Sequence, residues 1–178
     1  MRPTIAEIPR PLIRQPLDWF QAEHHRHRQF CALMHELAAS AVFEAEPIRE
    51  LIDFLRDELG RHLTDEEEDL FPLLRQRALP EDDVDQVLSR LYAEHKGDLV
   101  HGQALRTHLE RCRETRTAPG LDPAASLALD AFASQELRHL ALENAVVLPL
   151  ARLRLTTKDL KGLSRGLAAR RGLQVRAA

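Results

Sequence analysis

The sequence predicts an all-α chain, an up-down four-helix bundle with an extended N-terminal arm and a short fifth helix at the C-terminal end. Three observations predict it. Leu, Ala, Arg and Glu are abundant among the 178 residues and only 7 are Gly, a composition that favours helices. Apolar residues recur in alternating steps of three and four along four long stretches, as they do on a helix with one buried face. Turn signals separate those stretches, so that consecutive helices can reverse direction.

Residues 1–16 carry Pro3, Pro9, Pro11 and Pro16 and read as an extended arm, with Ile and Leu side chains that pack onto the body. The bundle spans 17–151. Its first helix begins near Leu17, with an inward stripe of Leu17, Phe20, His24, His27, Cys31, Met34 and Ala38. The second follows Pro47, a good first-turn residue, and turns Leu51, Leu55, Glu58, His62, Glu66 and Asp69 inward before Pro72. The third starts after Pro80-Glu81-Asp82-Asp83 and buries Val84, Leu88, Leu91, His95, Asp98, Gly102, Leu105, Leu109 and Cys112. After the break at Thr117-Ala118-Pro119-Gly120, the fourth runs from Asp122 to about Leu150, with Leu129, Phe132, Glu136, His139, Glu143 and Val146 facing in. Residues 152–178 hold the fifth helix, Thr157 to Arg171. Thr156 and Asp159 resemble a capping box at its start, Leu160, Leu163 and Leu167 lie across the bundle, and its Lys and Arg side chains form a solvated outer face.

Composition excludes several functions. Aromatics are 4% of the chain and the net charge is −3, which leaves neither a stacking platform for single-stranded nucleic acid nor bulk attraction to DNA or anionic lipid. Cys31 and Cys112 lack CxxC or CxxCH spacing; this rules out cysteine zinc sites and covalent haem and favours buried free thiols. No stretch has the ~20 apolar residues of a membrane span, and the N-terminus lacks a signal-peptide core. The expected location is cytoplasmic, with no nucleic-acid or membrane partner and no readable protein partner.

Two stretches nearly repeat each other. His62 is followed four residues on by Glu66 and ten on by Pro72-Leu73; His139 is followed by Glu143 and Pro149-Leu150 at the same intervals. Four residues are about 6 Å of helix rise and just over one turn, so imidazole and carboxylate leave one face together. Ligands on different helices must also share a level. The midpoint of His24 and His62 is Phe43, beside the Glu46-Pro47 boundary; that of His62 and His95 lies between Ala78 and Leu79, beside Pro80; that of His95 and His139 is Thr117, in the Thr-Ala-Pro-Gly break. The four histidines therefore come out at one height, one per helix. With Glu66 and Glu143 they fill stripe positions where Leu or Phe is expected. Burying such groups uncompensated costs several kcal/mol per charge, and two divalent cations supply the compensation.

These residues carry a resemblance. Glu23-His24, His62-xxx-Glu66-Glu67 before Leu70-Phe71-Pro72, Glu94-His95, and His139-xxx-Glu143 before Leu148-Pro149 resemble the hemerythrin-like, or HHE cation-binding, domain family over about Leu17 to Leu150. The resemblance implies a non-haem di-iron centre. His24, His62, His95 and His139 are then terminal nitrogen ligands, Glu66 and Glu143 bridge two iron ions, and iron ranks ahead of manganese or zinc. Oxygen-carrying hemerythrins have a second His one turn after the third-helix ligand and an Asp five after the fourth-helix ligand; here Leu99 and Asn144 stand there, so the resemblance is to HHE proteins generally rather than to reversible oxygen carriers. Two six-coordinate irons offer about twelve positions, of which the six side chains fill about eight.

The remaining inward polar residues have quieter readings. His27 is a pocket hydrogen-bond donor ahead of a ligand, Asp98 either a ligand or a support for His95, Glu136 a support, and Glu58 either a support for His62 or a residue at the stripe edge. Within Asp65-Glu66-Glu67-Glu68-Asp69, helical phase points only Glu66 and Asp69 inward. His25, His35, His101 and His108 are solvated or locally bonded. The expected function is binding or sensing of small ligands (dioxygen, nitric oxide, peroxide) or handling of iron. The alternative is a di-iron redox enzyme: a peroxide or nitric oxide reductase, or an iron donor for cluster repair. No catalytic residue or electron-donor motif is readable.

Overall fold

A computed structural model describes residues 5–173; Pro3 of the arm and residues 174–178 of the tail lie outside them. The described residues contain no strand. Helix α1 is Pro16–Ala39, α2 covers residues 45–77, α3 is Val84–Thr115, α4 covers residues 123–154, and α5 is Thr157–Arg170. The three midpoint positions fall in or at the edges of the connections between α1 and α4. Local chemistry starts the helices. Asp122 caps α4 by accepting from the N–H groups of Ala124 and Ala125, and Thr156 and Asp159 form a reciprocal capping box on α5. Helix α2 opens at Ala45, two residues before Pro47. The arm is not extended throughout: Arg10–Arg14 make a 3-10 turn, because Pro11 has the fixed φ that suits a first helical turn. Its Ile13 is buried, and Ile8 and Leu12 pack against the core.

Side-chain bonds show how the helices run. Between α1 and α4 they join Asp18 to Arg152, His24 to Asn144, His27 to Glu136, and Ser126 to Ala38, so the two are antiparallel. Between α3 and α4 they join Glu94 to His139, Asp98 to Gln135, and Arg111 to Asp122, again antiparallel. The apolar interior is split into two clusters. One holds Phe30, Leu37, Ile48, Phe54, Leu105 and Phe132 among others; the second holds Phe20, Leu70, Phe71, Leu91, Val147 and Leu163 among others. A buried polar layer lies between them.

Every residue of the expected stripes on α1 and α3 is buried. On α2 and α4 the pattern slips. Glu58 and Asp69 are half-buried and Leu59 and Leu70 are buried in their place; Val146 is half-buried and Val147 is buried. Each slip falls in a π turn: Phe54–Glu58, Glu66–Leu70 and Glu143–Val147. The closing N–H of each turn reaches back five residues, from Leu59 to Phe54 O, Phe71 to Glu66 O and Leu148 to Glu143 O. A π turn holds one residue more than an α turn, so everything after it rotates by one position. Two of the three precede Pro72 and Pro149, which have no N–H to continue α-type bonding.

Candidate metal centre

His24 comes from α1, His62 and Glu66 from α2, His95 from α3, and His139 and Glu143 from α4, all buried in the polar layer. They form two overlapping groups that could each hold a metal ion: His24, His62, Glu66 and Glu143, and His95, His139, Glu66 and Glu143. Within each group the donor atoms lie within 4.8 Å of one another.

The two glutamates divide their oxygens between the groups. Glu66 Oε1 lies 3.7 Å from Nε2 of both His24 and His62, while its Oε2 lies 3.5 Å from His95 Nε2. Glu143 Oε2 lies 3.5 Å from His24 Nε2, and its Oε1 lies 3.9 Å from His95 Nε2 and 2.8 Å from His139 Nε2. The His95 and His139 Nε2 atoms are 3.1 Å apart, close to the roughly 3 Å between neighbouring nitrogens that share an octahedral ion at about 2.1 Å.

A ring of supports turns these nitrogens inward. Glu23 of α1 meets His62 Nδ1 at 3.3 Å, Glu67 of α2 meets His95 Nδ1 at 2.8 Å, Glu94 of α3 meets His139 Nδ1 at 3.1 Å, and Asn144 of α4 meets His24 Nδ1 at 3.3 Å. Each helix thus supports the histidine of the next, and the fourth closes on the first. Every support is the immediate chain neighbour of a central residue. One helical step is about 100°, which points such a neighbour sideways at the adjoining helix. The π turn adds to this: the Phe71 N–H goes to Glu66 O, and the Glu67 carbonyl accepts from the Tyr92 hydroxyl instead. An Nδ1–H donated to a carboxylate leaves Nε2 as the lone-pair donor.

The centre suits cations. Buried polar atoms without a hydrogen-bond partner concentrate here: Nε2 of His24 and His62 and both oxygens of Glu66 and of Glu143. The 2.8 Å approach of His139 to Glu143 gives Oε1 no aligned hydrogen bond. A layer of unpaired imidazole and carboxylate donors is costly unless positive charge sits among them, and nitrogen and oxygen donors without thiolate suit iron or manganese.

With protons alone, charge is unevenly shared. Burial presses on His62 and His139, yet facing carboxylates outweigh it and lift both to about 10. His95 is raised on the same balance. His24 goes the other way, driven down to about 4 by burial, with only the neutral Asn144 amide on its Nδ1. Burial and the neighbouring Glu143 push Glu66 up to about 8, while Glu143, flanked by His139 and His95, stays below the usual carboxylate range despite burial.

The remaining predicted residues sit outside both groups. His27 Nδ1 pairs with Glu136 at 2.7 Å, in keeping with a pocket hydrogen bond. Asp98 is buried but accepts from Gln135 at 2.7 Å; the support of His95 is Glu67, not Asp98. Glu58 pairs with Arg26 rather than His62, and Asp69 with Arg170. His35 meets Asp130 on the surface. Sequence phase alone missed Glu67 as well as Asp65, which is fully buried against Arg170 and Arg171. An acidic or amide residue directly beside His24, Glu66, His95 and Glu143 is the signal that finds the supports.

Cys31 and Cys112 are free and buried. Among the described residues no helix is long and apolar enough to cross a membrane. The sequence profile of the hemerythrin HHE cation-binding domain matches residues 15–151, and no curated protein sequence matches the chain. With its profile match covering most of the chain and its His/Glu groups placed to hold metal, the protein belongs to the hemerythrin HHE cation-binding domain family.

Proposed function

We propose that the protein holds a non-haem di-iron centre, with His24 and His62 on one ion, His95 and His139 on the other, and Glu66 and Glu143 bridging them. It uses the remaining coordination positions to bind or sense a small ligand such as dioxygen, nitric oxide or peroxide, or to handle iron. The observation that carries this reading is the division of each glutamate's oxygens between two histidine pairs. The iron pair supplies Lewis acidity and one-electron chemistry when bound. The protein supplies four oriented imidazoles, two bridging carboxylates and apolar rings beside them, with Phe20 6.1 Å from the His62 ring and Phe71 5.7 Å from the His95 ring.

One observation favours the enzymatic alternative, a peroxide or nitric oxide reductase. One turn from the central histidines, the His27–Glu136 pair and Asp98 are buried, and burial with nearby Glu136 lifts Asp98 to about 6. A buried carboxyl raised toward neutral pH can pass on protons that reductive chemistry consumes. Iron-loaded protein titrated with azide, nitric oxide and peroxide, with and without a chemical reductant, separates the readings. Saturable spectral change at each iron pair without turnover supports binding or sensing; sustained consumption of peroxide or nitric oxide supports the enzyme. Iron-loaded protein inert to every ligand would sink both.

A further inference from the structure

Two supports of the central histidines are themselves held by arginine, in different settings. Glu94 accepts from Arg90 at 2.8 Å on the surface, with side chains 26% and 64% exposed. Glu23 accepts through Oε1 from Arg171 Nη2 at 2.6 Å, with side chains 11% and 9% exposed, while its Oε2 faces His62. Arg171 follows the last residue of α5 and is 148 positions from Glu23 along the chain. The same Nη2 donates to Asp65 Oδ2 at 2.6 Å, Nη1 donates to Leu167 O at 3.0 Å, and the guanidinium lies 4.9 Å from the centre of the Trp19 ring.

The helix carrying Arg171 is docked by contacts that do not touch Glu23. Arg170 donates to Asp65, Asp69 and Glu68, Ser164 donates to the carbonyl of Ile13 in the arm, and Leu163 and Leu167 sit in the apolar cluster. Arg171 is therefore delivered to Glu23 by a helix already seated.

We propose that Arg171 is a positioning residue for the metal centre: it holds Glu23, Glu23 fixes the imidazole of His62, and the C-terminal helix thereby sets how firmly the ion on the His24/His62 side is retained. The inference rests on the reading of His62 as a metal ligand. Glu has three side-chain torsions, and a carboxylate tied at one oxygen keeps the other in place for the imidazole. Released from the guanidinium, Glu23 gains rotamers and His62 loses its fixed orientation. Among the described residues the other half has no equivalent buried tie, since the Arg90–Glu94 pair is exposed and weakened by solvent. The effect is thus confined to one of two ions.

The test follows release of cobalt(II) from loaded full-length protein into excess EDTA, read by visible absorption. Arg171→Gln should speed release of one metal equivalent by about tenfold or more and leave the second within about twofold of the unsubstituted protein. Arg171→Lys, which retains the charge, should recover most of the loss. Arg170→Gln, which removes an α5 anchor without touching Glu23, should change release by less than about threefold. Circular dichroism checks that each variant is folded. Unchanged release in folded Arg171→Gln, equal acceleration of both equivalents, or full reproduction of the effect by Arg170→Gln overturns the proposal. Unsubstituted protein that takes up no cobalt overturns the ligand reading itself.

Discussion

In α2, Glu66 is followed by Glu67, whose carboxylate lies 2.8 Å from His95 Nδ1; in α4, Glu143 is followed by Asn144, whose amide oxygen lies 3.3 Å from His24 Nδ1. The two segments otherwise match. Both have His four residues before Glu, a π turn starting at that Glu, and a proline six residues after it. The backbone device that places a central carboxylate is therefore the same in both, while the next residue differs in the charge it presents to a neighbouring imidazole. His95 is raised because Glu143 and Glu66 outweigh its burial, whereas at His24, which has an amide on Nδ1, burial prevails and lowers it to about 4. The central carboxylate and the partner of the neighbouring imidazole are thus set by adjacent but separable positions.

The severest break removes what the two segments share. Glu66→Ala with Glu143→Ala should take bound iron from about two ions per chain to about none, because both bridges vanish, while circular dichroism stays helical. Full loading of that double variant would contradict the bridging assignment. Next comes the residue that differs. Glu67→Gln should weaken metal retention about 10–100-fold. Asn144→Asp should move the His24 imidazole in metal-free protein upward from about 4, as followed by NMR titration. If His24 does not move, the Nδ1 partner is not what separates it from the other three.

A pH effect follows from the same ring. His62 and His139 stand at about 10 in metal-free protein, above the ordinary value near 6.5, so both are protonated at neutral pH. Metal binding must displace those protons. Loading in weak buffer near pH 7 should acidify the solution, and affinity should rise with pH toward 10. The same shifts stabilise metal-free protein below about pH 6.5, and that contribution is lost as pH rises through about 10. Denaturant unfolding with metal removed should show the decline; no alkaline loss would mean that the carboxylates do not hold these protons.

The smallest effect is expected at the prolines. An interior proline ordinarily costs a helix about 3 kcal/mol. Here the π turns have already rerouted the backbone bonds, so Pro72→Ala and Pro149→Ala should each change stability by only about 1 kcal/mol or less. A gain near 3 kcal/mol, read by chemical denaturation, would mean that the prolines strain the helices.

Helical phase was readable where helices are regular. The stripes on α1 and α3 are buried at every expected position, and the turns lie at the histidine midpoints. The reading failed at Glu58, Asp69 and Val146, each inside a π turn, because a period of 3.6 residues carries no allowance for an inserted residue. Phase left Glu67 outside the centre because it stands one residue beside Glu66, and it left Asp65 outside the core because the side chains that cover it, Arg170 and Arg171, come from 105 and 106 positions away. The six central residues were named from spacing and level, and the structure brings them together. The tie from Arg171 to Glu23 joins positions 148 residues apart, and no local pattern announces it. The 3-10 turn in the arm was hidden by its prolines, which read as extended chain and equally suit a first helical turn.

X-ray absorption on protein loaded with ferrous iron and then oxidised tests the central claim most directly. Two metal ions sharing Glu66 and Glu143 predict about two irons per chain and an iron–iron scattering vector near 3.5 Å, within the usual range for paired metal sites. One iron per chain, or two with no mutual vector, would contradict it.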